Sequence, residues 1–310
     1  MKIVFMGTPD YAAHALECLI EAGHEIALVI TNPDKPAGRG GRIAMSEVKQ
    51  TALAHDLEIF QPVKIRANEA AARLESVQAD VGVVAAFGQI LTERNLSAPR
   101  LGCVNLHASL LPAYRGSSPI QQAILDGIDV TGVTTMQMDA GIDTGDILLQ
   151  QKCSIDADET AGSLFDKLTR IGGELIVKTL NELEAGRITP VRQDETLATK
   201  TAKIGKEQGH IDWSRDAVYI ERLIRAMSPW PSAYSKLPEG GMLKIWRAHP
   251  VEEAPAGRPG EIVEITKDAL IIRCGTGALC VEEVQAEGRK RMRVHDFLLG
   301  AKPETGSVLQ

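Results

Sequence analysis

The chain has 310 residues, 44% of them hydrophobic and 24% charged, which suits a folded protein of two domains and excludes a disordered chain. The formal net charge of −7 has the wrong sign for a general nucleic-acid binder. From Lys206 onward 15 basic and 15 acidic residues balance, so the acidic excess lies in the first two thirds of the chain. Any surface that binds RNA must therefore be local.

The sequence carries no mark of export or of a membrane span. The segment Met1–Asp10 enters a strand without the apolar core or the cleavage site of a signal peptide. No apolar run approaches the ~18 residues that a spanning helix needs. The five cysteines are scattered and form no C-x-x-C pair, as expected of small buried side chains in a reducing compartment. We expect a cytoplasmic protein with no membrane partner.

The chain opens with a strand, a helix and a second strand. Lys2–Met6 is an apolar run typical of a strand covered on both faces. Thr8 is a good N-cap for a helix over Tyr11–Ala22, and Glu25–Ile30 follows as the next strand. This order predicts a right-handed βαβ unit. The first turn lacks the G-x-G-x-x-G pattern, so no dinucleotide fingerprint is present.

The segment Thr31–Ile43 reads TNPDKPAGRGGRI and contains too much Gly and Pro for a regular element. We expect a surface loop that ends where Ser46 caps the next helix. A plain long connection is one interpretation. Binding of an anionic backbone by Lys35, Arg39 and Arg42 is the other, and we favour it because ordered domains seldom keep such loops without use.

The most strand-like run, Asp80–Ala85, ends in the loop Phe87–Leu91. An apolar loop at the end of a central strand is a suitable wall for a flat heterocycle, and Gly88 would permit close approach of the backbone. Packing of Ile90 and Leu91 into the core can hold at the same time.

Two polar side chains follow each other at the end of the strand Cys103–His107. Alternate residues of a strand face the same side, so Asn105 and His107 share one face. Ligands of open parallel sheets bind just outside the carboxyl ends of the strands. A structural histidine remains the ordinary alternative to a catalytic one.

A second polar stretch, MDAGIDTGDI, lies downstream at Met138–Ile147. Its three carboxylates are Asp139, Asp143 and Asp146, and taken alone the segment is most simply a turn. Together with an imidazole and an amide donor, however, a carboxylate completes a site that handles protons and stabilises an oxyanion.

The remainder divides into a long helix, a polar segment and a run of short strands. Apolar residues form one stripe along Glu159–Ala185, which predicts the helix. The segment 189–206 is polar and typical of an interdomain linker. The strands, broken by Gly and Pro, favour a small β-barrel and are expected at Ala233–Leu237, Leu243–Ala248, Glu261–Ile265, Ala269–Arg273 and Ala278–Glu283.

A dense basic cluster at Arg289–Arg293 lies near the end of the chain. Such a run is usually a solvated loop. On the rim of a barrel it would instead hold phosphates, and the sequence leaves both interpretations open.

These motifs resemble a known family. NLHASLLPAYRGSSPI followed by MQMDAGIDTGDILL resembles the formyltransferases that use 10-formyltetrahydrofolate. KIVFMGTPDYAAHALECLI and above all NPDKPAGRGGR resemble the branch of that family that formylates methionyl-tRNA. The likeness runs from Lys2 to about Trp230 and includes KEQGHIDW. Phe87 and Thr92 depart mildly from the family pattern Tyr-Gly-x-Ile-Leu-Pro.

The resemblance implies an α/β fold with a doubly wound, mainly parallel sheet, a Rossmann-like formyltransferase domain over residues 1–188. A linker over 189–206 and a small C-terminal β-barrel, OB-like and tRNA-binding, over 207–310 would follow. The implied enzyme transfers a formyl group from 10-formyltetrahydrofolate to the α-amino group of methionyl initiator tRNA, for translation initiation. We expect a monomer that needs no metal.

The family motif also implies roles for single residues. Asn105, His107 and Asp143 would be catalytic, Asp143 being preferred because it occupies the family's Ile-Asp-Thr-Gly segment. Folate contacts are expected from Phe87, Gly88, Gln89, Ile90, Leu91, Ser109, Leu110, Leu111, Pro112 and Asp139, and Arg115 and Gly116 would shape the wall. Contacts with tRNA are expected from Lys35, Arg39, Arg42, Lys203, Lys206, Arg289, Lys290, Arg291 and Arg293. We expect the loop that carries Arg39 to lie apart from the pterin wall.

Four alternatives share parts of this pattern. A formyltransferase for a purine-precursor ribonucleotide would lack the second domain. A nucleotide-sugar formyltransferase would not be expected to carry PAGRGGR, and a formyl-folate hydrolase would use water as acceptor. A non-catalytic nucleotide- or RNA-binding α/β protein would have no use for the Asn105, His107 and Asp143 set.

Overall fold

The structure is a computed structural model that describes residues 1–37 and 42–310. The chain forms two compact units that exchange segments. The first unit contains Met1–Pro119, Val130–Ser154 and Phe165–Thr201. The second contains Ile120–Asp129, Ile155–Leu164 and Ala202–Gln310.

The elements have the following bounds. The strands are β1 (Lys2–Gly7), β2 (Glu25–Ile30), β3 (Lys35–Ala37), β4 (Arg42–Ala44), β5 (Ile59–Phe60), β6 (Val81–Ala85), β7 (Cys103–His107), β8 (Arg115–Gly116), β9 (Val130–Gln137), β10 (Ile147–Ser154), β11 (Lys200–Thr201), β12 (Ala233–Lys236), β13 (Met242–Val251), β14 (Ile262–Ile265), β15 (Leu270–Arg273), β16 (Ala278–Ala286) and β17 (Met292–Arg293). The helices are α1 (Asp10–Glu21), α2 (Glu47–Ala54), α3 (Asn68–Val77), α4 (Glu93–Leu96), α5 (Pro119–Asp126), α6 (Ala161–Glu184), α7 (Ala217–Ala226) and α8 (Val294–Gly300), with 3₁₀ turns at Glu195–Leu197 and Glu207–Gly209.

The first unit is built on a seven-stranded sheet of order β10-β9-β7-β6-β1-β2-β5. The five strands from β5 to β7 pair in parallel, and β9 and β10 continue the sheet antiparallel. From β1 the chain moves outward to β2 and β5 and then returns to β6 on the other side of β1. This reversal makes the sheet doubly wound, as predicted, and directs ligands to the carboxyl ends of the strands.

Two local predictions in the first unit are wrong. Pro9, not Thr8, precedes helix α1, and no side chain caps that helix. Thr8 instead accepts a hydrogen bond of 2.8 Å from the Asn32 side chain. The loop after β2 is not wholly irregular, because β3 and β4 pair antiparallel within it. Ser46 caps α2 as predicted, accepting a bond from the backbone N–H of Lys49.

The second unit contains a six-stranded antiparallel sheet of order β12-β13-β16-β15-β14, with β17 paired to β16. The five predicted strands are all present, each within a few residues of its expected bounds. The last residues of the chain connect the two edges of this sheet. Val308 bridges to Glu261 beside β14, and Gln310 exchanges backbone hydrogen bonds of 2.6 and 3.0 Å with Lys236 of β12.

The segment expected to be a linker, 189–206, belongs to the first unit as far as Thr201. There β11 pairs in parallel with β8, next to the strand end that carries His107. Within the described part of the chain, none of the helices is both long and apolar enough to cross a membrane.

Candidate active site

Strand β7 delivers Asn105 and His107 to the same face of the sheet, as alternation requires. Both side chains are buried, with 9% of Asn105 and 6% of His107 exposed. The amide of Asn105 makes no hydrogen bond to any residue that the structure describes. It is not fully enclosed either, so its N–H groups remain available to a bound molecule.

The ring of His107 lies between a carbonyl and a carboxylate. Its Nε2 is 3.0 Å from the carbonyl oxygen of Tyr114, which can only accept, so the hydrogen belongs on Nε2. Nδ1 then faces Oδ2 of Asp143 across 3.6 Å.

Asp143 sits in a left-handed backbone conformation with φ of 54°. Its Oδ2 also accepts a hydrogen bond of 2.8 Å from the backbone N–H of Gly116, which fixes the carboxylate beside the ring. Asp139 differs from it, because its Oδ1 accepts bonds from Gly141 N and Thr144 Oγ1 within the turn. Only Asp143 of the two is directed at His107.

Two glycines lie where the backbone leaves no room for a side chain, Gly145 in the turn that carries Asp143 and Gly116 in β8. A Cβ on Gly145 would lie 1.7 Å from the carbonyl oxygen of Gln137. A Cβ on Gly116, whose φ is 112°, would lie 2.4 Å from the carbonyl oxygen of Thr201. Both positions exclude side chains, so the two glycines are structural requirements of the site.

Arg115 is 3% exposed and lies in β8, where the loop after β7 ends. Its guanidinium forms a bidentate pair with Glu195, with N–O distances of 3.0 and 2.8 Å. The pair raises the pKa of Arg115 and lowers the pKa of the Glu195 carboxyl, each through their shared hydrogen bonds. Arg115 is therefore a fixed structural cation in this state rather than a free binding group.

The loop after β6 is the segment expected to form the wall of the folate site. Gly88 is exposed and has φ of 77°, and Ile90 is 77% exposed. Phe87 and Leu91 are buried in the core. The side chain of Gln89 is used internally, since it bonds to Ile65 N at 2.7 Å and to Asn32 Oδ1 at 2.8 Å.

The base of the loop expected to reach tRNA touches this wall. Asn32 Nδ2 donates a hydrogen bond of 2.7 Å to the carbonyl oxygen of Phe87. The expectation that the loop lies apart from the wall is therefore wrong at its base. The physical reason is that the polar turn at the end of β2 supplies the partner that the buried carbonyl of Phe87 needs.

The loop after β7 is ordered by its own polar groups. Ser109, fully buried, donates to the carbonyl of Ala113 at 2.6 Å. Leu111 is also buried, its N–H donates to Thr134 Oγ1 at 3.1 Å, and the bond between Leu111 and Pro112 is cis. The whole of Ser109 is buried and its carbonyl accepts a bond of 2.6 Å from Thr134 Oγ1, so its expected contact with folate stays a prediction.

The basic residues proposed to bind tRNA fall in both units. Lys35, Lys203, Lys206, Arg289, Lys290, Arg291 and Arg293 are exposed. Arg291 is engaged by Glu283, with one N–O distance of 2.7 Å, and lies 5.2 Å from the centre of the Trp246 ring. Arg39 lies outside the described residues, and of Arg42 only the backbone in β4 is described.

Other chemistries find little support near β7. Burial raises the pKa of the Cys103 thiol to about 12, so this cysteine stays a neutral core residue. A cluster of three His, Cys, Asp or Glu side chains able to hold a metal ion is not found within residues 1–37 and 42–310.

Sequence reasoning missed the polar residues that support the site from the segment after α6. Gln193 and Glu195 contact Arg115 from 78 and 80 residues away, and Thr199 Oγ1 accepts a bond of 2.8 Å from Tyr114 N. One signal was present, because an arginine between buried loop residues requires an anionic partner. The sequence did not say which carboxylate that partner is.

Family models match both parts of the chain. Residues 1–180 match the model described as formyl transferase, and residues 203–302 match the formyl transferase C-terminal domain. The methionyl-tRNA formyltransferase of Lachnospira eligens is 48% identical over 314 residues, covering 100% of this chain and 99% of that protein. The methionyl-tRNA formyltransferase of Geobacter metallireducens is 45% identical over 306 residues, covering 99% and 97%.

A solved structure supports the fold. A sugar 3N-formyl transferase, determined in the presence of dTDP and 5-N-formyl-THF, superposes with a TM-score of 0.69. The match covers 94% of this chain and 99% of the other, at 21% identity. The two proteins therefore share a fold over most of both chains.

Proposed function

Because this chain belongs to the methionyl-tRNA formyltransferases, we propose that it transfers a formyl group from 10-formyltetrahydrofolate to the α-amino group of methionyl initiator tRNA. The observation that supports the site most directly is the approach of His107 to Asp143, 3.6 Å apart, beside an unengaged Asn105. The three side chains come from segments almost forty residues apart. Their convergence at a strand end brings together an amide donor, an imidazole and a carboxylate, groups that an acyl transfer can use.

Asn105 is proposed to stabilise the charge that develops on the formyl oxygen. The amine attacks the formyl carbon, a new C–N bond forms, and the carbonyl oxygen becomes an oxyanion. The N–H groups of Asn105 have no partner within the described residues, so they can donate without first breaking a protein hydrogen bond. Such a donor contributes roughly 2.7–4 kcal/mol to transition-state stability.

His107 is proposed to manage the proton. The amine loses a proton as the C–N bond forms, and N10 of the folate gains one as its bond to the formyl carbon breaks. With hydrogen fixed on Nε2 by the Tyr114 carbonyl, Nδ1 is the position that can accept and return a proton. Asp143 would hold the ring and stabilise its charged form.

The folate is proposed to lie against the loop after β6, with its formyl group toward Asn105. Strand β6 is paired in register with β7, Val84 lying beside Asn105, so the two loops leave adjacent strands. The exposed Ile90 and the open backbone at Gly88 supply an apolar edge and close approach. The expected contacts of Leu110, Pro112 and Asp139 remain proposals.

The acceptor is proposed to be held by local cations in a chain of net negative charge. The set comprises Lys35, Arg39, Arg42, Lys203, Lys206, Arg289, Lys290, Arg291 and Arg293. Among these, Arg289, Lys290 and Arg293 are exposed and make no ion pair to any described residue, which leaves them available to phosphates.

One experiment tests the function. Purified protein should formylate methionyl initiator tRNA in the presence of 10-formyltetrahydrofolate, and much less so methionyl elongator tRNA. The same assay with a nucleotide-linked amino sugar or with no acceptor tests the sugar transferase and the hydrolase. Formyl transfer to the sugar, or formate release alone, would reject the proposal.

A further inference from the structure

We propose that Gln193 is a positioning residue for formyl transfer, holding the backbone turn that directs the Asp143 carboxylate at His107. The inference rests on the roles proposed above for those two residues. Gln193 touches neither of the reacting groups, so it would act through the turn alone.

The amide of Gln193 uses every hydrogen-bonding position that it has. Nε2 donates to the carbonyl oxygens of Asp143 and Gly145 at 2.9 and 2.7 Å. Oε1 accepts from Nε and Nη2 of Arg115 at 3.0 and 2.9 Å. Carbonyls only accept and a guanidinium only donates, so the orientation of the amide is determined. At 4% exposure, water offers no ready substitute for these bonds.

Gln193 bonds to the turn at two carbonyls, those of Asp143 and Gly145. Asp143 holds a φ of 54°, which residues with a side chain rarely adopt without support. Fixing the carbonyl of residue 145 holds the far side of the turn, and fixing the carbonyl of residue 143 fixes the peptide plane that sets the direction of the Asp143 side chain. Its carboxylate then meets Gly116 N at 2.8 Å and His107 at 3.6 Å.

A purely structural role for Gln193 would be to satisfy Arg115. Arg115, however, already has a bidentate carboxylate partner in Glu195, at 3.0 and 2.8 Å. The charge of the guanidinium is therefore balanced without Gln193. What Gln193 adds is the connection from that fixed cation to the catalytic turn.

The test uses two variants of Gln193. Gln193→Glu keeps the shape and the contact with Arg115 but places an acceptor opposite two carbonyls. Gln193→Met removes all four bonds at similar volume. Both should lower the single-turnover rate on the order of 10²-fold, because a small displacement of a catalytic group has that effect. Folate affinity should stay unchanged. Gln151→Glu and Gln151→Met, at an exposed glutamine of β10 whose side chain bonds only to Lys152 O, are the matched controls and should keep the wild-type rate.

The second measurement is a double-mutant cycle. In an Asp143→Ala background, Gln193→Met should cause no further loss of rate, since the group that it positions is gone. Equal losses in both backgrounds, or wild-type rates for both Gln193 variants, would overturn the positioning role. A wild-type rate for Asp143→Ala alone would instead overturn the proposed catalytic set, and the inference with it. If Gln193→Met fails to give a cooperative melting transition, the same double-mutant cycle with Asp143→Ala is measured with the isosteric Gln193→Glu.

Discussion

The side chain of Asn32 donates a hydrogen bond of 2.7 Å to the carbonyl oxygen of Phe87, joining the end of β2 to the end of β6. The same Nδ2 also donates to Thr8 Oγ1 at 2.8 Å, and Oδ1 accepts from Gln89 at 2.8 Å. One amide thus connects the ends of β1, β2 and β6, at the place where the strand order reverses. The base of the Gly/Pro-rich loop and the proposed pterin wall form one polar network.

Asn32→Leu should weaken both stability and folate binding. The substitution removes the bonds of the Asn32 amide to Phe87 O, Thr8 Oγ1 and Gln89 Nε2. The carbonyl of Phe87 keeps only the longer bond of 3.4 Å from Thr8 Oγ1, so we expect a loss of about 1–3 kcal/mol. We expect a lower unfolding free energy by chemical denaturation and a raised dissociation constant for 5-formyltetrahydrofolate. Gln50→Ala, whose side chain is exposed and bonds only to Met45 O, is the control. Unchanged folate affinity in Asn32→Leu would show that the hydrogen bonds of Asn32 do not support the folate site.

Asn105→Ala should lower turnover by roughly 10²–10³-fold, the effect of removing one oxyanion donor. The melting temperature should stay within a few degrees, because the Asn105 side chain forms no hydrogen bond within the described residues. The check is a formylation assay beside differential scanning calorimetry. A large loss of melting temperature with near-normal turnover per folded molecule would assign Asn105 a structural role.

The sequence predicted the sheet, and the position of Asn105 and His107 at a strand end, because strand alternation and apolar runs are local. It placed Asn105 and His107 on one face from spacing alone, and family likeness supplied the choice of Asp143. It did not predict the support of Arg115 by Gln193 and Glu195, or the bond from Asn32 to Phe87. These contacts depend on register across segments far apart in sequence, which no local pattern encodes. Short pairs such as β8 with β11 were missed for the same reason.

Arg39→Ala should impair turnover with initiator tRNA and leave folate affinity unchanged. Loss of one phosphate contact should also reduce the slope of log affinity against log salt by about one unit. Filter binding across a salt series measures this directly. Arg187→Ala, at an exposed arginine paired with Glu182 on the first unit, controls for the loss of one positive charge. If Arg39→Ala binds and formylates tRNA like the wild type at physiological salt, the loop does not bind tRNA and only connects two elements.

Asp34→Asn should destabilise the protein near neutrality but not in acid. Asp34 accepts bonds from Lys49 Nζ at 2.6 Å and Gln61 Nε2 at 2.9 Å, which lower its carboxyl pKa below the ordinary value. A lowered folded pKa gives stability that is complete above the unfolded pKa of about 3.9 and is lost as pH falls through the folded value.

The difference in melting temperature between wild type and Asp34→Asn should therefore be constant from pH 6 to 8 and shrink below about pH 4. Glu239→Gln, at an exposed turn residue, serves as the control. A difference that persists unchanged into acid would mean that the carboxylate charge is not what the two donors recognise.

The exchange of segments between the two units has a consequence for synthesis. Residues 120–129 and 155–164 leave the ribosome well before the Ala202–Gln310 segment with which they form the second unit. Strand β11, which pairs with β8 beside the proposed site, also emerges only after the main sheet is complete. A nascent chain can therefore assemble the main sheet before β11 has paired with β8. At that stage residues 120–129 and 155–164 have not yet met the rest of the second unit. Since domains usually fold as they are made, we expect this protein to acquire activity late in translation, all at once, rather than when its first 180 residues have emerged.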